Sequence, residues 1–286
     1  MFGDQLASGP GGAWKRPPRK RVDMSIGAGH GTVLVTGGAS GIGLATVRTL
    51  LDGGADSCAV LDLNPDPGVI EALTRQYGEQ RLIILSCNVS DRDAVAAAVR
   101  TVTESGPIAG VVNCAGTLLA KPSLDLTLAD LHRLFDVHVA GSLFTAQAAA
   151  QSWISAGTPG AIVNVSSVAS TFGWPGRLPY PIAKASVEAL TRTLAVEWAR
   201  WDIRVNAVAP GSVDSPLMAE GRRPAGVKPL EEVADRHALG RVADAAEIAA
   251  VITFLLSDQS SFMTGTVVPV DGGFNITKDS AKELAQ

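Results

Sequence analysis

The chain has 286 residues, 46% of them hydrophobic and 18% charged, with a formal net charge of −4. That much apolar material can close a sizeable core and excludes a wholly disordered chain, while the acidic balance argues against a nucleic-acid partner. No apolar run reaches the roughly 18 residues that a membrane span needs, so the expectation is a soluble, cytoplasmic protein with no membrane partner.

Residues 1–30 differ from the rest. A glycine- and proline-rich stretch, Ser8-Gly9-Pro10-Gly11-Gly12, leads into the basic run from Lys15 to Arg21. Such a segment buries too little apolar surface to offset its ordering entropy, and it reads as a flexible basic tail. Residues 31–286 read as one folded domain. Strand-like apolar runs occur at Thr32 to Thr36, Ser57 to Asp62, Leu82 to Leu85, Gly110 to Asn113, Ala161 to Val165, Arg204 to Val208 and Thr266 to Val270. Between them, Ile42 to Leu51, Ala94 to Val102, Leu128 to Trp153, Ala183 to Arg200 and Ala245 to Leu256 carry apolar residues at helical spacing. Valine- and isoleucine-rich strands alternating with helices predict an α/β fold with a parallel sheet of about seven strands, covered by helices on both faces.

Cys58, Cys87 and Cys114 lie in or beside apolar segments without metal-ligand spacing, and the four histidines are scattered. No metal site is expected, and the thiols fit a reducing compartment.

The first strand runs into Thr36-Gly37-Gly38-Ala39-Ser40-Gly41-Ile42-Gly43, with a helical segment after it. Glycines in a strand-to-helix turn let backbone approach a pyrophosphate, and the helix N-terminus offers unpaired N–H groups. Asp62, at the end of the second strand and about twenty residues on, is placed to accept hydrogen bonds from an adenosine ribose. Its charge opposes a 2′-phosphate. Ala39, Ser40, Leu63 and Asn64 supply no compensating cation, so NAD is favoured over NADP. Asp62 also stands where a carboxylate can cap the turn before Asn64-Pro65, in which case that discrimination fails.

Further along, Tyr180-Pro181-Ile182-Ala183-Lys184 follows Ser167 by thirteen residues. Tyrosine and lysine four apart share a helix face, and a cation beside a phenol favours the phenolate. Pro181 suits a first helical turn, which puts Tyr180 at the mouth of that helix.

Together these residues resemble the short-chain dehydrogenase/reductase family over nearly all of residues 31–275. The glycine turn, Asn113-Cys114-Ala115-Gly116, Ser167, Tyr180 with Lys184, Pro210-Gly211 and Val270-Asp271-Gly272-Gly273 occur in the family's order. The resemblance implies a single-domain, doubly wound Rossmann fold. It implies Tyr180 as general acid/base, Ser167 as the hydroxyl that orients substrate, and Lys184 as the group that lowers the tyrosine pKa and holds the nicotinamide ribose. Gly37, Ser40, Gly41, Ile42, Gly43, Asp62, Leu63, Asn88, Val89, Asn113, Ala115, Gly116, Pro210, Gly211, Val213 and Ser215 fall at cofactor-binding positions. Asn88 stands where the family often has aspartate.

One departure falls in Phe135-Asp136-Val137-His138-Val139, where His138 occupies the position of a catalytic asparagine. In the family that residue connects the lysine to solvent through its main-chain carbonyl, while its side chain supports a helix distortion. Histidine keeps the carbonyl and adds a group that can titrate near neutral pH. A modified proton relay and a purely structural imidazole both fit.

Two irregular stretches, Ala169 to Pro179 and Pro216 to about Leu239, are expected to frame the substrate. Phe172 and Trp174 suit an apolar wall, a core contact or a subunit contact; Arg222, Arg223 and Lys228 suit an acid-attracting or merely solvated lid. Family enoyl reductases space the tyrosine and lysine more widely, so the spacing here points to alcohol and ketone chemistry. The leading expectation is an NAD-dependent oxidoreductase on a secondary alcohol or ketone. The alternatives are an NADPH-dependent 3-oxoacyl carrier-protein reductase and a catalytically silent dinucleotide sensor. The segments Leu128 to Trp153 and Ala183 to Arg200 resemble family subunit-pairing helices, which predicts a homotetramer, with a dimer as the alternative.

Overall fold

The computed structural model describes residues 30–222, 230–277 and 279–281. The expected tail at residues 1–29, and the lid cations Arg223 and Lys228 with the side chain of Arg222, lie outside what is described.

Seven parallel strands, β1 (Thr32–Thr36), β2 (Ser57–Asp62), β3 (Leu82–Ser86), β4 (Ile108–Asn113), β5 (Gly160–Val165), β6 (Ile203–Pro210) and β7 (Val267–Val270), form one sheet in the order β3-β2-β1-β4-β5-β6-β7. Side-chain alternation along each strand feeds two cores. Val33 and Val35 of β1, Cys58 and Val60 of β2 and Val112 of β4 enter one. Leu34, Ala59, Leu61 and Val111 enter the other. Being buried on both faces is why these strands read as continuous apolar runs rather than as an alternation. Helices α1 (Gly41–Asp52), α2 (Pro67–Tyr77) and α9 (Ala245–Leu256) cover the first face; α3 (Arg92–Ser105), α5 (Gly141–Ala156) and α6 (Pro179–Trp198) cover the second.

The predicted strands and helices are present, with ends shifted by a few residues. Helix α2 was not among the expected elements, although Asp66 caps it by accepting the Val69 N–H at 3.0 Å and Pro67 opens it. The segment expected as one helix from Leu128 to Trp153 is α4 (Leu128–Phe135), a π-helical turn at Asp136–Ala140, then α5. Helix α6 begins at Pro179 instead of Ala183, so Tyr180 and Pro181 both lie in its first turn. Two short helices, α7 (Pro216–Arg222) and α8 (Leu230–Ala234), follow β6.

Chain order reverses between β1 and β4, which leave the sheet toward opposite sides. In open α/β sheets ligands bind outside the carboxyl ends of the strands at such a switch point. Thr36, Asp62, Asn113, Val165 and Pro210 are the last residues of their strands and share that edge.

Candidate active site

The turn from β1 into α1 is built by close backbone approach. Gly37 has φ +64°, and a Cβ there would meet the Ala115 backbone at 2.9 Å; a Cβ on Gly43 would meet the Gly37 carbonyl at 2.1 Å. Ser40 stands at the N-cap of α1 without a capping side-chain bond, and the first turn carries no acidic residue. The helix therefore presents uncompensated N–H groups and positive dipole to an anion, the chemistry a pyrophosphate requires. Thr36, which sequence reasoning passed over, ties this turn to the next loop: its Oγ1 accepts the N–H groups of Cys114 and Ala115 at 3.1 and 3.2 Å.

Asp62 stands at the carboxyl end of β2. Its Oδ2 accepts the Ala39 N–H at 3.1 Å and its Oδ1 the Asn64 N–H at 3.3 Å. The turn-capping role is real, and the same half-buried carboxylate also lines the cavity. Leu63, Asn88, Val89, Pro210, Gly211, Val213 and Ser215 line the same cavity.

Of the expected cofactor residues, Gly43 and Asn113 stand behind the cavity surface. Gly43 acts through its contact with Gly37. Asn113 is turned inward: its Nδ2 donates to Asn164 Oδ1 at 2.8 Å and to the Ser142 carbonyl at 3.2 Å, and Asn164 Nδ2 passes the chain on to Thr191 Oγ1 at 2.8 Å. This buried amide network braces β4 against α5, β5 and α6.

Ser167, Tyr180 and Lys184 meet on one buried stretch of wall. Ser167 ends the path out of β5 and caps a 3-10 turn, its Oγ accepting the Ala169 N–H at 3.1 Å. The Tyr180 phenol lies near enough to the Ser167 hydroxyl for the latter to favour its ionised form. Lys184 Nζ donates to the Val165 carbonyl at 2.8 Å and lies 5.6 Å from the centre of the Tyr180 ring. Burial dominates the electrostatics. It pushes the Tyr180 phenol up to about 12 against the opposing pull of the Ser167 hydroxyl, and it brings Lys184 down to about 8. The expected lowering of the phenol by its lysine neighbour does not enter: desolvation sets the direction, and the opposing pull comes from Ser167.

His138 is 1% exposed and sits in the π turn, outside the cavity wall. Its Nε2 lies 2.8 Å from the Thr117 carbonyl, a distance at which Nε2–H donates; its Nδ1 has no partner among the described residues. Burial, reinforced by the Lys184 charge, holds its pKa well below the ordinary 6.5. Both effects oppose the titration near neutral pH that a histidine at this position would offer. Its main-chain carbonyl accepts the Ser142 Oγ–H at 2.7 Å.

All of this surrounds a single cavity of about 1600 Å³. Small-molecule sites are commonly about 300–1,000 Å³, so this one has room for a dinucleotide with a second molecule beside it. On the Tyr180 side the wall is aromatic. Phe172 lies 6.3 Å from Trp174 and 5.3 Å from Phe274, and Trp174 lies 6.1 Å from Tyr180, ring centre to ring centre. Phe172 and Trp174 are thus cavity walls. Among the described residues no group of three or more potential ligands could hold a metal ion, and no helix is long and apolar enough to cross a membrane.

A family model described as enoyl-(acyl carrier protein) reductase matches residues 37–275. Cis-4-hydroxycyclohexanecarboxylate dehydrogenase of Sinomonas cyclohexanicum is 39% identical over 243 residues, covering 84% of this chain and 95% of the relative. 2,5-Dichloro-2,5-cyclohexadiene-1,4-diol dehydrogenase of Sphingobium indicum is 36% identical over 247 residues, covering 85% and 96%. The crystal structure of a short-chain type dehydrogenase/reductase from Mycobacterium marinum shares the fold with a TM-score of 0.80 at 27% identity, over 88% of this chain and 98% of that one. Similarity of this depth, running through nearly the whole folded part, turns the resemblance of the ordered motifs into kinship: the chain belongs to the short-chain dehydrogenase/reductase family.

Proposed function

We propose that the protein interconverts a secondary alcohol and a ketone with NAD, and that the carbon bearing the oxygen belongs to a six-membered ring. The observation that carries the reading is the convergence of Ser167, Tyr180 and Lys184 on the wall of one aromatic-lined cavity, with Lys184 Nζ 5.6 Å from the centre of the Tyr180 ring. Two relatives whose names specify cyclohexane or cyclohexadiene alcohols support the ring. The four-residue tyrosine-to-lysine spacing favours alcohol chemistry over the enoyl reduction in the family model's description.

The roles follow from placement. Ser167 Oγ holds the substrate oxygen and Tyr180 Oη exchanges its proton. Kept neutral by burial, the phenol is poised to donate in ketone reduction. In alcohol oxidation it must first lose its own proton. Lys184, anchored on Val165, supplies fixed positive charge beside the phenol and is placed to hold a ribose. The α1 N-terminus with Ser40, Gly41 and Ile42 would take the pyrophosphate, and Asp62 the adenosine ribose. When bound, the oxidised cofactor supplies the hydride acceptor. A carboxylate at the Asp62 position disfavours a 2′-phosphate, which supports NAD over NADP. Assembly as a homotetramer through α5 and α6 is part of the same reading, supported by Val196 standing 81% exposed on α6.

The experiment is a panel of cyclic and acyclic secondary alcohols followed by NADH absorbance, with Tyr180→Phe as control. Turnover of cyclic alcohols well above the control is expected. No substrate exceeding the control would overturn the reading.

A further inference from the structure

We infer that Glu188 is a positioning residue that sets the Ser167 hydroxyl against the Tyr180 phenol. The inference rests on the alcohol–ketone reading above, which gives Ser167 the substrate oxygen, and adds what holds Ser167 in place.

The site is assembled from two separate pieces of chain. Ser167 stands between the end of β5 and the 3-10 turn Val168–Thr171, whereas Tyr180 and Lys184 belong to α6. Glu188 lies on α6 one turn beyond Lys184 and shares its face. There it joins the two pieces. Its Oε1 accepts the Ser166 Oγ–H at 2.9 Å and also the Ser170 Oγ–H. Ser166 directly precedes Ser167, and Ser170 lies in the turn that follows, where its N–H donates to the Ser167 carbonyl at 3.1 Å. One carboxylate oxygen thus grips the chain on both sides of Ser167.

Each of the two hydroxyls has one proton and a second acceptor in reach. The Lys184 carbonyl is 3.2 Å from Ser166 Oγ, and the Ser167 carbonyl is 2.8 Å from Ser170 Oγ. An ionised acceptor makes the stronger bond, so both protons favour Glu188. Arg192, 3.8 Å from the other carboxylate oxygen, is 57% exposed, and water screens that pair. The serine hydroxyls therefore carry the connection. It reaches the reacting atom through the turn: Ser167 Oγ accepts the Ala169 N–H at 3.1 Å, so the hydroxyl follows the turn and the turn follows Glu188. The pyrophosphate turn between β1 and α1 shares none of these bonds, so the effect of Glu188 falls on the substrate and not on cofactor affinity.

The test compares Glu188→Met, which keeps the length of the side chain but offers no oxygen, with Glu188→Gln, which keeps an acceptor oxygen without the charge. The full chain is titrated calorimetrically with NAD, or with NADP if the wild type binds only that, which counts the competent sites and gives their affinity. Turnover of cyclic alcohols is then expressed per site, which removes any general loss of folded enzyme. Glu188→Met should keep the wild-type cofactor affinity and lose about tenfold or more in kcat, the scale of misplacing a group that orients substrate. Glu188→Gln should recover most of that loss. A kcat per site equal to that of the wild type, or a cofactor affinity that falls along with it, overturns the assignment. Hydrogen exchange of residues 166–172 gives a readout independent of turnover, expected to be faster in Glu188→Met and close to wild type in Glu188→Gln. That pattern in a protein that turns over no alcohol supports the clamp, and the alcohol–ketone reading alone has failed. Unchanged exchange in Glu188→Met overturns the clamp whatever the substrate panel gives.

Discussion

The imidazole of His138 stands edge-on to the ring of Tyr180, with centres 5.5 Å apart and planes at 81°. The π turn at Asp136–Ala140 carries His138 to this contact, and the bond to Thr117 fixes its rotation. His138 thereby joins the loop after β4 to the phenol. Burial and the Lys184 charge both favour the neutral ring, which argues against a relay through the imidazole. His138→Asn should therefore leave the acidic limb of the kcat/KM profile where it is in the wild type. A displaced acidic limb would restore the relay that the sequence left open.

The same ring sets a steric demand on Gly116. A Cβ there would come within 2.8 Å of His138 Cε1. Gly116→Ala should lower kcat by about tenfold or more by pushing the imidazole against Tyr180. With the smaller side chain of His138→Asn already present, the same substitution should do much less harm. Residues in contact are expected to couple by roughly 0.5–3 kcal/mol in such a cycle. Additive effects in the four-member comparison would show that the two residues do not press on one another.

The strands were legible because each is an apolar run buried on both faces, as in Thr32–Thr36 and Ser57–Asp62. Tyr180, Lys184 and Ser167 were legible as a group because the helix period and the family order are local signals. What the chain hides is direction and burial. Asn113 was found by its position in a motif, yet its side chain turns to Asn164, 51 residues away, which no local pattern encodes. The π turn barely alters the apolar period of Leu128 to Trp153, so the segment read as one helix. Tyr180 looked acidified by its lysine because the sequence shows the neighbour but not the desolvation. Arg177 lies in an irregular loop, where nothing in the pattern marks a buried cation. Helix α2 was the avoidable omission, since Asp66-Pro67 is a visible start signal.

Both Asp62 oxygens accept backbone N–H groups, Oδ2 from Ala39 and Oδ1 from Asn64, and the residue also lines the cavity. Asp62→Asn keeps one acceptor for the turn and removes the charge. The NAD-to-NADP ratio of kcat/KM should fall by about tenfold or more, chiefly through better use of NADP, since a single unit of charge repulsion at this range is worth about 1.4 kcal/mol or more when partly screened from water. Wild-type preference for NADP, or an unchanged ratio in the variant, would break the cofactor assignment.

Val196, 81% exposed on α6, provides a surface test of assembly. Val196→Glu should convert a tetramer to smaller species in light scattering while leaving the urea midpoint of the separated subunit nearly unchanged, as exposed substitutions usually do. An unaltered mass would move the interface elsewhere.

Lys184 sets function against stability. Its ammonium is buried with the Val165 carbonyl as hydrogen-bond partner, and burial brings its pKa from 10.5 to about 8. A depressed folded-state pKa means that the folded protein binds the proton less readily than the unfolded chain. The penalty is fully present below pH 8, fades between 8 and 10.5, and is gone above that. At about 1.4 kcal/mol per unit it amounts to about 3 kcal/mol at neutral pH. Lys184→Met, similar in length and uncharged, should abolish turnover yet raise the unfolding free energy at pH 7 by about that amount, and by progressively less at pH 9 and 10. Tyr180 works in the opposite sense, its contribution full below pH 10 and lost as pH rises toward 12, but it is present in both proteins and cancels in the comparison. Urea unfolding of the two proteins across this range checks the sign directly. A variant less stable than the wild type at pH 7 would mean that the ammonium, despite its burial, is held by more than it loses to water.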